Sequence, residues 1–264
     1  MTSHNTLPTH LILVCCHAIY LGGPTHGTSE SEWLLAPFQA NETPTFTSHI
    51  TTALALLSST PSALLIFSGS STRSETRKSE ARSYLDLCVD NGFWGYGELR
   101  GRVLLEERAL DSFANLVFGV VGFWRAVGEW PEMVTLVGHG FKEGRFLELH
   151  VLAMRWPRER VRFVGVDPEY MVEDSAGFDA ERCESVRRGE RERGFGEWEK
   201  DLMGRGERLR GKRRERNPWK VSQLFFESEE EREKSGVKSE VLRGEVVEEV
   251  LVEGRQPWEG TISV

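Results

Sequence analysis

Cysteine is scarce in this chain: Cys15, Cys16, Cys88 and Cys183 are the four among 264 residues. None forms a C-x-x-C pair and none stands at zinc-site spacing from a histidine, which excludes the common zinc modules and leaves no metal site to expect. A reduced intracellular compartment is expected. An excess of basic residues is also missing. Lys and Arg number 33 against 41 Asp and Glu, a net charge of -8, which argues against a protein that mainly coats nucleic acid or anionic membrane. No long apolar run is present either. The stretch from Leu11 to Leu21 has no basic segment before it and is broken by His17, so it is too short to span a bilayer and poorly shaped as a signal peptide. It reads as a buried strand of a cytoplasmic protein with no transmembrane segment. Internal repeats are absent, and no G-K-[ST] phosphate loop occurs.

What is present is alternation. Five short aliphatic runs have the length and content of buried strands: Leu11 to Cys15, Leu64 to Phe67, Val103 to Leu105, Met133 to Val137 and Val161 to Val166. Helical patterns lie between them. A short apolar one surrounds Ile50 to Leu57, and another runs from Ser74 to Val89, stopping at Asn91-Gly92. The clearest starts at the capping pair Asp111-Ser112, repeats apolar residues from Phe113 to Val127 and stops at Gly128. A fourth, from about Arg145 to Arg155, ends before Pro157. This order predicts an α/β fold, a Rossmann-like three-layer arrangement with a mostly parallel sheet of about five strands. Residues 8–170 form the predicted core. Residues 171–226, dense in Glu and Arg, are expected as a charged helical extension packing on it, and 227–264 as an acidic C-terminal tail.

In an open parallel sheet, ligands bind beyond the carboxyl ends of the strands, and this sequence concentrates its unusual residues there. His17 and Gly22-Gly23 follow the first strand. The second is followed by Ser68-Gly69-Ser70-Ser71-Thr72, with Ser79-Glu80 after it. Glu106, Asp111, Ser112 and Asn115 follow the third, and His139, Lys142 and Arg145 the fourth. The Ser/Gly/Thr loop offers backbone N–H groups and hydroxyls suited to phosphate or carboxylate, although ordinary turns have the same composition. Glu80 stands either as a ligand contact or as a first-turn acid complementing the helix dipole. Asp111 reads first as a cap, whereas Asn115, one turn further in, points to a ligand. Lys142 and Arg145 form an anion clamp or a pair of solvated cations. His17 and His139 carry groups that titrate near neutrality, yet a lone histidine at a strand end is commonly structural. Cys16 has no base paired with it in sequence. The run Lys212-Arg213-Arg214-Glu215-Arg216 fits a solvated helical face better than a nucleic-acid patch.

The series CHAIYLGG, WLLAPFQ, LLIFSGSSTR, SEARSYL, EERALDSFANLVF, VTLVGHGFKEGRFLELH, RFVGVDP and KRRERNPW resembles the fungal branch of the YdcF/SanA/ElyC-type family, a domain of unknown function. The resemblance spans about Leu11 to Trp219. It implies a Rossmann-like fold with a site built from the loops above, and a bacterial member is described as binding S-adenosylmethionine. Carried over, the family's SGG loop falls on Ser68-Gly69-Ser70, its SEA on Ser79-Glu80-Ala81, and its acidic residue after the third strand on Glu106. The Thr/Ser-x-Glu-Asn motif falls on Ser112, Ala114 and Asn115, and the H-x-x-R motif on Lys142 and Arg145. Ser70 replaces a glycine and Ala114 a glutamate, so a carboxylate is lost where a catalytic one would be sought.

The expected function is therefore binding of a nucleotide-like or anionic metabolite, S-adenosylmethionine first, at the strand ends. Two alternatives stay open. One is a hydrolase or transferase acting on phosphate- or sugar-linked substrates, with Glu80 or Glu106 as base and Lys142 and Arg145 stabilising negative charge. The other is a noncatalytic protein whose C-terminal extension holds a protein partner.

Overall fold

The first apolar run becomes the middle strand of a five-stranded sheet, β1 (His10–Cys15), in the computed structural model, which describes residues 7–259. A strand with neighbours on both edges and helices on both faces must be apolar at every position, and β1 is buried from Leu11 to Cys15. β2 (Ala63–Ser68), β3 (Val103–Glu106), β4 (Met133–Gly138) and β5 (Val161–Gly165) complete a sheet of order β3-β2-β1-β4-β5. All four pairings are parallel. The chain therefore moves outward from β1 to one edge and then crosses to the other side of β1. The neighbours of β1 diverge at that switch point, opening a crevice at their carboxyl ends.

Alternate residues of β1 feed two cores. Ile12 and Val14 pack with α1 (Thr43–Ser59) and α2 (Glu80–Asp90), where Phe46, Leu54, Tyr84 and Leu87 are buried. Leu11, Leu13 and Cys15 pack with α3 (Ser112–Val127) and with the helix after β4. That helix is irregular: a wide π-helical turn, Arg145–His150, precedes one short α-helical stretch, α4 (Val151–Ala153). Arg155, with φ at 57°, then turns the chain before Pro157.

Two helix starts have clear local causes. The Asp111 carboxylate accepts the Ala114 amide at 2.8 Å, and Gly128 closes α3 in the left-handed conformation. Ser79 caps α2 by accepting the Arg82 amide. The expected start of α2 at Ser74 is corrected to Glu80, because residues 74–78 are held as loop. The Ser71 hydroxyl donates to the Arg77 carbonyl at 2.6 Å, and the Trp219 indole donates to the carbonyls of Arg73 and Thr76 at 3.0 and 2.9 Å.

After β5 the chain forms α5 (Ala180–Gly189), a second π-helical turn (Glu190–Phe195), α6 (Gly196–Lys200) and α7 (Glu207–Glu215). A short helix, α8 (Glu229–Ser235), leads into the antiparallel hairpin β6 (Ser239–Leu242) and β7 (Glu248–Leu251). Charge-rich as it is, this region has apolar anchors. Trp198, Leu209, Phe225, Phe226 and Trp258 all join the core on the α3 side. Burying a side chain of this size contributes roughly 1.5–3 kcal/mol, enough to fix an otherwise solvated segment against the sheet. No helix among the described residues is long and apolar enough to cross a membrane.

Candidate functional site

The carboxyl ends of the strands and the C-terminal extension enclose a cavity of about 400 Å³, within the range of small-molecule sites. Its floor is Cys15, Cys16 and His17 from the end of β1. One side is the start of α3, with Asp111, Ser112 and Asn115, and Glu80 enters from the start of α2. Lys142 and Arg145 come from the segment after β4. The extension closes the cavity with Glu190, Lys212, Arg213 and Arg216 among others. Six cationic side chains and four carboxylates line it, so the enclosed field favours a negative guest.

Lys142 and Arg145 are neighbours on one turn, but they are compensated differently. Arg145 Nε lies 3.2 Å from Glu190 Oε1, both side chains largely buried. Lys142 has no carboxylate within ion-pair distance among the described residues. Its ammonium instead stands 3.3 Å from Nδ1 of His139 and 5.3 Å from the centre of the Phe141 ring. Burial, reinforced by the Arg145 charge, pushes its pKa down to about 8.

Beneath Lys142 lies a cluster that sequence alone did not reveal. The rings of His17, His49 and His139 are 4.5 to 5.6 Å apart, centre to centre. Burial holds all three below the usual imidazole range, His49 at about 4 and His17 and His139 well below their ordinary value, with Lys142 adding to the effect. Neutral His139 thus accepts from Lys142 through Nδ1. Its Nε2 faces the Glu42 carboxylate at 3.7 Å, which in turn accepts from the Tyr170 hydroxyl at 2.7 Å. Among the described residues no group of three or more His, Cys, Asp or Glu is arranged to hold a metal ion.

Glu80 is almost fully buried, and its Oε1 accepts from the Thr72 hydroxyl at 2.6 Å and lies 3.6 Å from Arg216. Burial raises its pKa, against the Arg216 charge. Gly69 is required beside it: a Cβ there would stand 2.8 Å from Glu80 Oε2 and 3.1 Å from the Cys16 Cβ. Ser70 is buried, and its hydroxyl has no hydrogen-bond partner among the described residues.

Several residues expected at the site take other positions. Glu106 does not line the cavity. Its carboxylate lies behind the wall and accepts from the Ser68 hydroxyl and the Arg108 amide at 2.6 Å each and from the Ala109 amide at 3.2 Å. Ser68 Oγ also lies 3.1 Å from Asn115 Oδ1, so this trio ties β2, the loop after β3 and α3 together. Gly22 and Gly23 lie outside the site. Both have positive φ, and Gly23 is pressed against Glu32, whose carboxylate accepts the amides of Thr25 and Gly27 at 2.7 Å. The Ser112 hydroxyl is 2.8 Å from His150 Nε2. His150 is fully buried, and its pKa is driven far down, so it is disfavoured as an acceptor of a serine proton. Cys15 and Cys16 are buried thiols whose pKa burial pushes up, to about 12 for Cys15, which removes them as nucleophiles.

The extension supplies the residues that the sequence did not place. Arg213 Nη1 donates to Asp111 at 3.1 Å, and Nη2 donates to the Gly204 carbonyl at 2.8 Å and to Glu248 at 3.3 Å. Arg216 approaches Glu80, and three residues later Trp219 seats on the loop after β2 with the Arg77 guanidinium 4.4 Å above its ring. The only sequence signal for these roles was the run ending in KRRERNPW. Half of that run does face solvent, as Arg214, Glu215 and Arg216 are exposed, but Arg213 points inward.

Fold and cavity together define a Rossmann-like three-layer α/β protein with one cation-rich chamber at its topological switch point. The chain is 30% identical over 210 residues to the uncharacterized protein YOR238W of Saccharomyces cerevisiae, a match covering 60% of this chain and 67% of the yeast protein, and it belongs to the same family. No family model matches the chain. No solved structure matches it.

Proposed function

We propose that this protein binds one small nucleotide-like or anionic metabolite in the strand-end cavity, with adenine nucleotides, phosphate esters and S-adenosylmethionine as the first ligands to test. A single observation carries the proposal: the Lys142 ammonium, with no carboxylate within ion-pair distance among the described residues, stands beside Arg145 at the start of the helix after β4. Cations at that end of a helix oppose its dipole. An arrangement unfavourable to the empty protein is the mark of a site completed by its ligand. The start of α3 opens on the same cavity and adds an anion-favouring dipole. S-adenosylmethionine enters through the resemblance to the YdcF/SanA/ElyC-type family. A cytoplasmic location belongs to the same proposal and rests on four buried, unbridged cysteines.

Native mass spectrometry of freshly purified protein is expected to show a retained metabolite. Thermal shift and calorimetry with adenine nucleotides, nicotinamide cofactors, S-adenosylmethionine and simple phosphate esters at millimolar concentration are expected to give at least one response. Silence across that panel together with an empty native spectrum would overturn the proposal.

One observation supports turnover as a second reading. Glu80, with a buried carboxyl held above its ordinary range, faces the cations across the cavity and suits a general base on phosphate- or sugar-linked substrates. Glu106 is no longer a candidate for that role, because it is sealed behind the wall. A protein partner held through the extension has less support, since the apolar anchors of that segment are already buried against the core.

A further inference from the structure

We infer that the guest of this cavity is a phosphomonoester, its dianionic phosphate seated between Lys142, Arg145, Arg193 and Lys212 and its hydroxyl-bearing remainder directed toward Glu80 and Asp111. The inference rests on the proposed anion-binding role of the same cavity and adds the chemical class of the ligand.

The charges around the cavity are divided unequally. At the starts of α3 and α2, the two acids each have an arginine: Asp111 with Arg213 at 3.1 Å, and Glu80 with Arg216 at 3.6 Å. On the other side Glu190, from the second π-helical turn, is set among the lining cations Lys142, Arg145, Arg193 and Lys212. Glu42 and Glu197 act on Lys142 and Lys212 only at longer range, and the exposed Glu215 is also in the lining. Arg145 takes the Glu190 Oε1 at 3.2 Å, and Lys142 and Lys212 interact with Glu190 at longer range. Lys212 is anchored there by donating to the Arg193 carbonyl at 3.0 Å. A single carboxylate of a guest would leave this side strongly positive, whereas a phosphate dianion offsets more of the excess and offers acceptors to both lysines and to the guanidinium. A sulfonium group would add charge of the wrong sign.

The rest of the lining favours a polar remainder over a nucleobase. The aromatic rings at the cavity wall are already engaged: Trp198 packs on His150 at 4.6 Å and on Phe113 at 5.7 Å, and Phe146 on Phe163 at 5.6 Å. Both rings are thus held in aromatic contacts within the core, and the remaining lining is dominated by charged and polar side chains. Glu80, by contrast, spends Oε1 on Thr72 and keeps Oε2 for a ligand hydroxyl.

Calorimetry on the full chain at pH 7 tests the inference with ribose 5-phosphate, ribose, inorganic phosphate and S-adenosylmethionine. Ribose 5-phosphate should bind at least tenfold more tightly than ribose, with inorganic phosphate competing. Lys142→Met should weaken ribose 5-phosphate at least tenfold while the far-ultraviolet circular dichroism stays unchanged. Wild-type affinity should also fall between pH 7 and 9, and that slope should vanish in Lys142→Met. If this variant fails to fold, Lys212→Gln on α7 is expected to weaken binding about threefold. Binding of S-adenosylmethionine with no response to either phosphate would overturn the inference and leave only the proposal of a nucleotide-like guest standing. Silence toward the whole panel would remove both. Equal affinity for ribose and ribose 5-phosphate, or full affinity in both lysine variants, would likewise overturn it.

Discussion

Arg213 donates to the Asp111 carboxylate across 102 residues of sequence, and the same carboxylate caps α3. One acid thus satisfies a helix end and holds the extension over the cavity. Arg213→Ala removes the contact together with those to Gly204 and Glu248, leaving the shielded Asp111 carboxylate without its cation and Glu248 with Arg210 alone. The expected cost is about 3 kcal/mol, read from urea unfolding, with faster proteolysis between α6 and α8. A loss below about 1 kcal/mol would show that α7 is held by its apolar anchors alone.

Lys142 has the opposite balance. Its folded pKa of about 8 lies below the ordinary 10.5, so the unfolded chain binds more protons between those values, and this group makes stability rise as pH increases from about 8 to 10.5. Lys142→Met should therefore be more stable than wild type at pH 7. Allowing for the partial exposure of the side chain, the gain is about 1–2 kcal/mol. The difference should shrink as pH rises toward 10. A destabilised variant at pH 7 would contradict the account of an enclosed, uncompensated ammonium.

Glu106 separates a structural acid from a reacting one. Burial raises its pKa, so its contribution to stability is greatest below the ordinary carboxylate value of 4.5 and declines as pH rises above it. Glu106→Gln still accepts the Arg108 and Ala109 amides, and should change stability at pH 7 by less than about 1 kcal/mol and ligand affinity by less than twofold. Glu106→Ala leaves those amides and Ser68 without their acceptor and should cost about 2–3 kcal/mol. A Gln variant that folds normally but loses ligand would return Glu106 to the site.

Gly165, at the end of β5, touches the loop that carries the cation pair. A Cβ there would stand 2.6 Å from the Gly140 Cα, two residues before Lys142. Gly165→Ala must push that backbone aside, at a cost of about 1–3 kcal/mol, and should weaken anion binding as well. Unchanged affinity in a destabilised variant would mean that the loop recovers its position independently.

The parts of the molecule legible in sequence are those governed by local chemistry. β1 reads as buried because its apolar run has the length of a strand, and α3 is bounded by Asp111 and Gly128 through side-chain and backbone preferences that act within one turn. The start of α2 did not follow from local pattern, because Trp219 holds residues 73–76 as loop from outside the segment. The site was legible to the same degree. Lys142, Arg145, Glu80 and Asn115 lie at strand ends, where topology gathers side chains. Glu190 and Arg213 are single letters in a run of alternating charge, and His49 and Glu42 belong to the opposite face of the sheet. What distinguishes them is a partner far away in the chain, and charge patterning carries no record of partners.

The roof of the cavity has a consequence for biosynthesis. On the ribosome the sheet and its helices are complete once β5 has emerged, but Glu190, Arg213 and Arg216 are still to be made. A nascent chain at that stage holds Lys142 and Arg145 open to bulk solvent, without the walls that make their charge effective. Under the proposed binding role, a ligand would become a stabiliser only after the last third of the chain has docked, so occupancy would report a finished molecule.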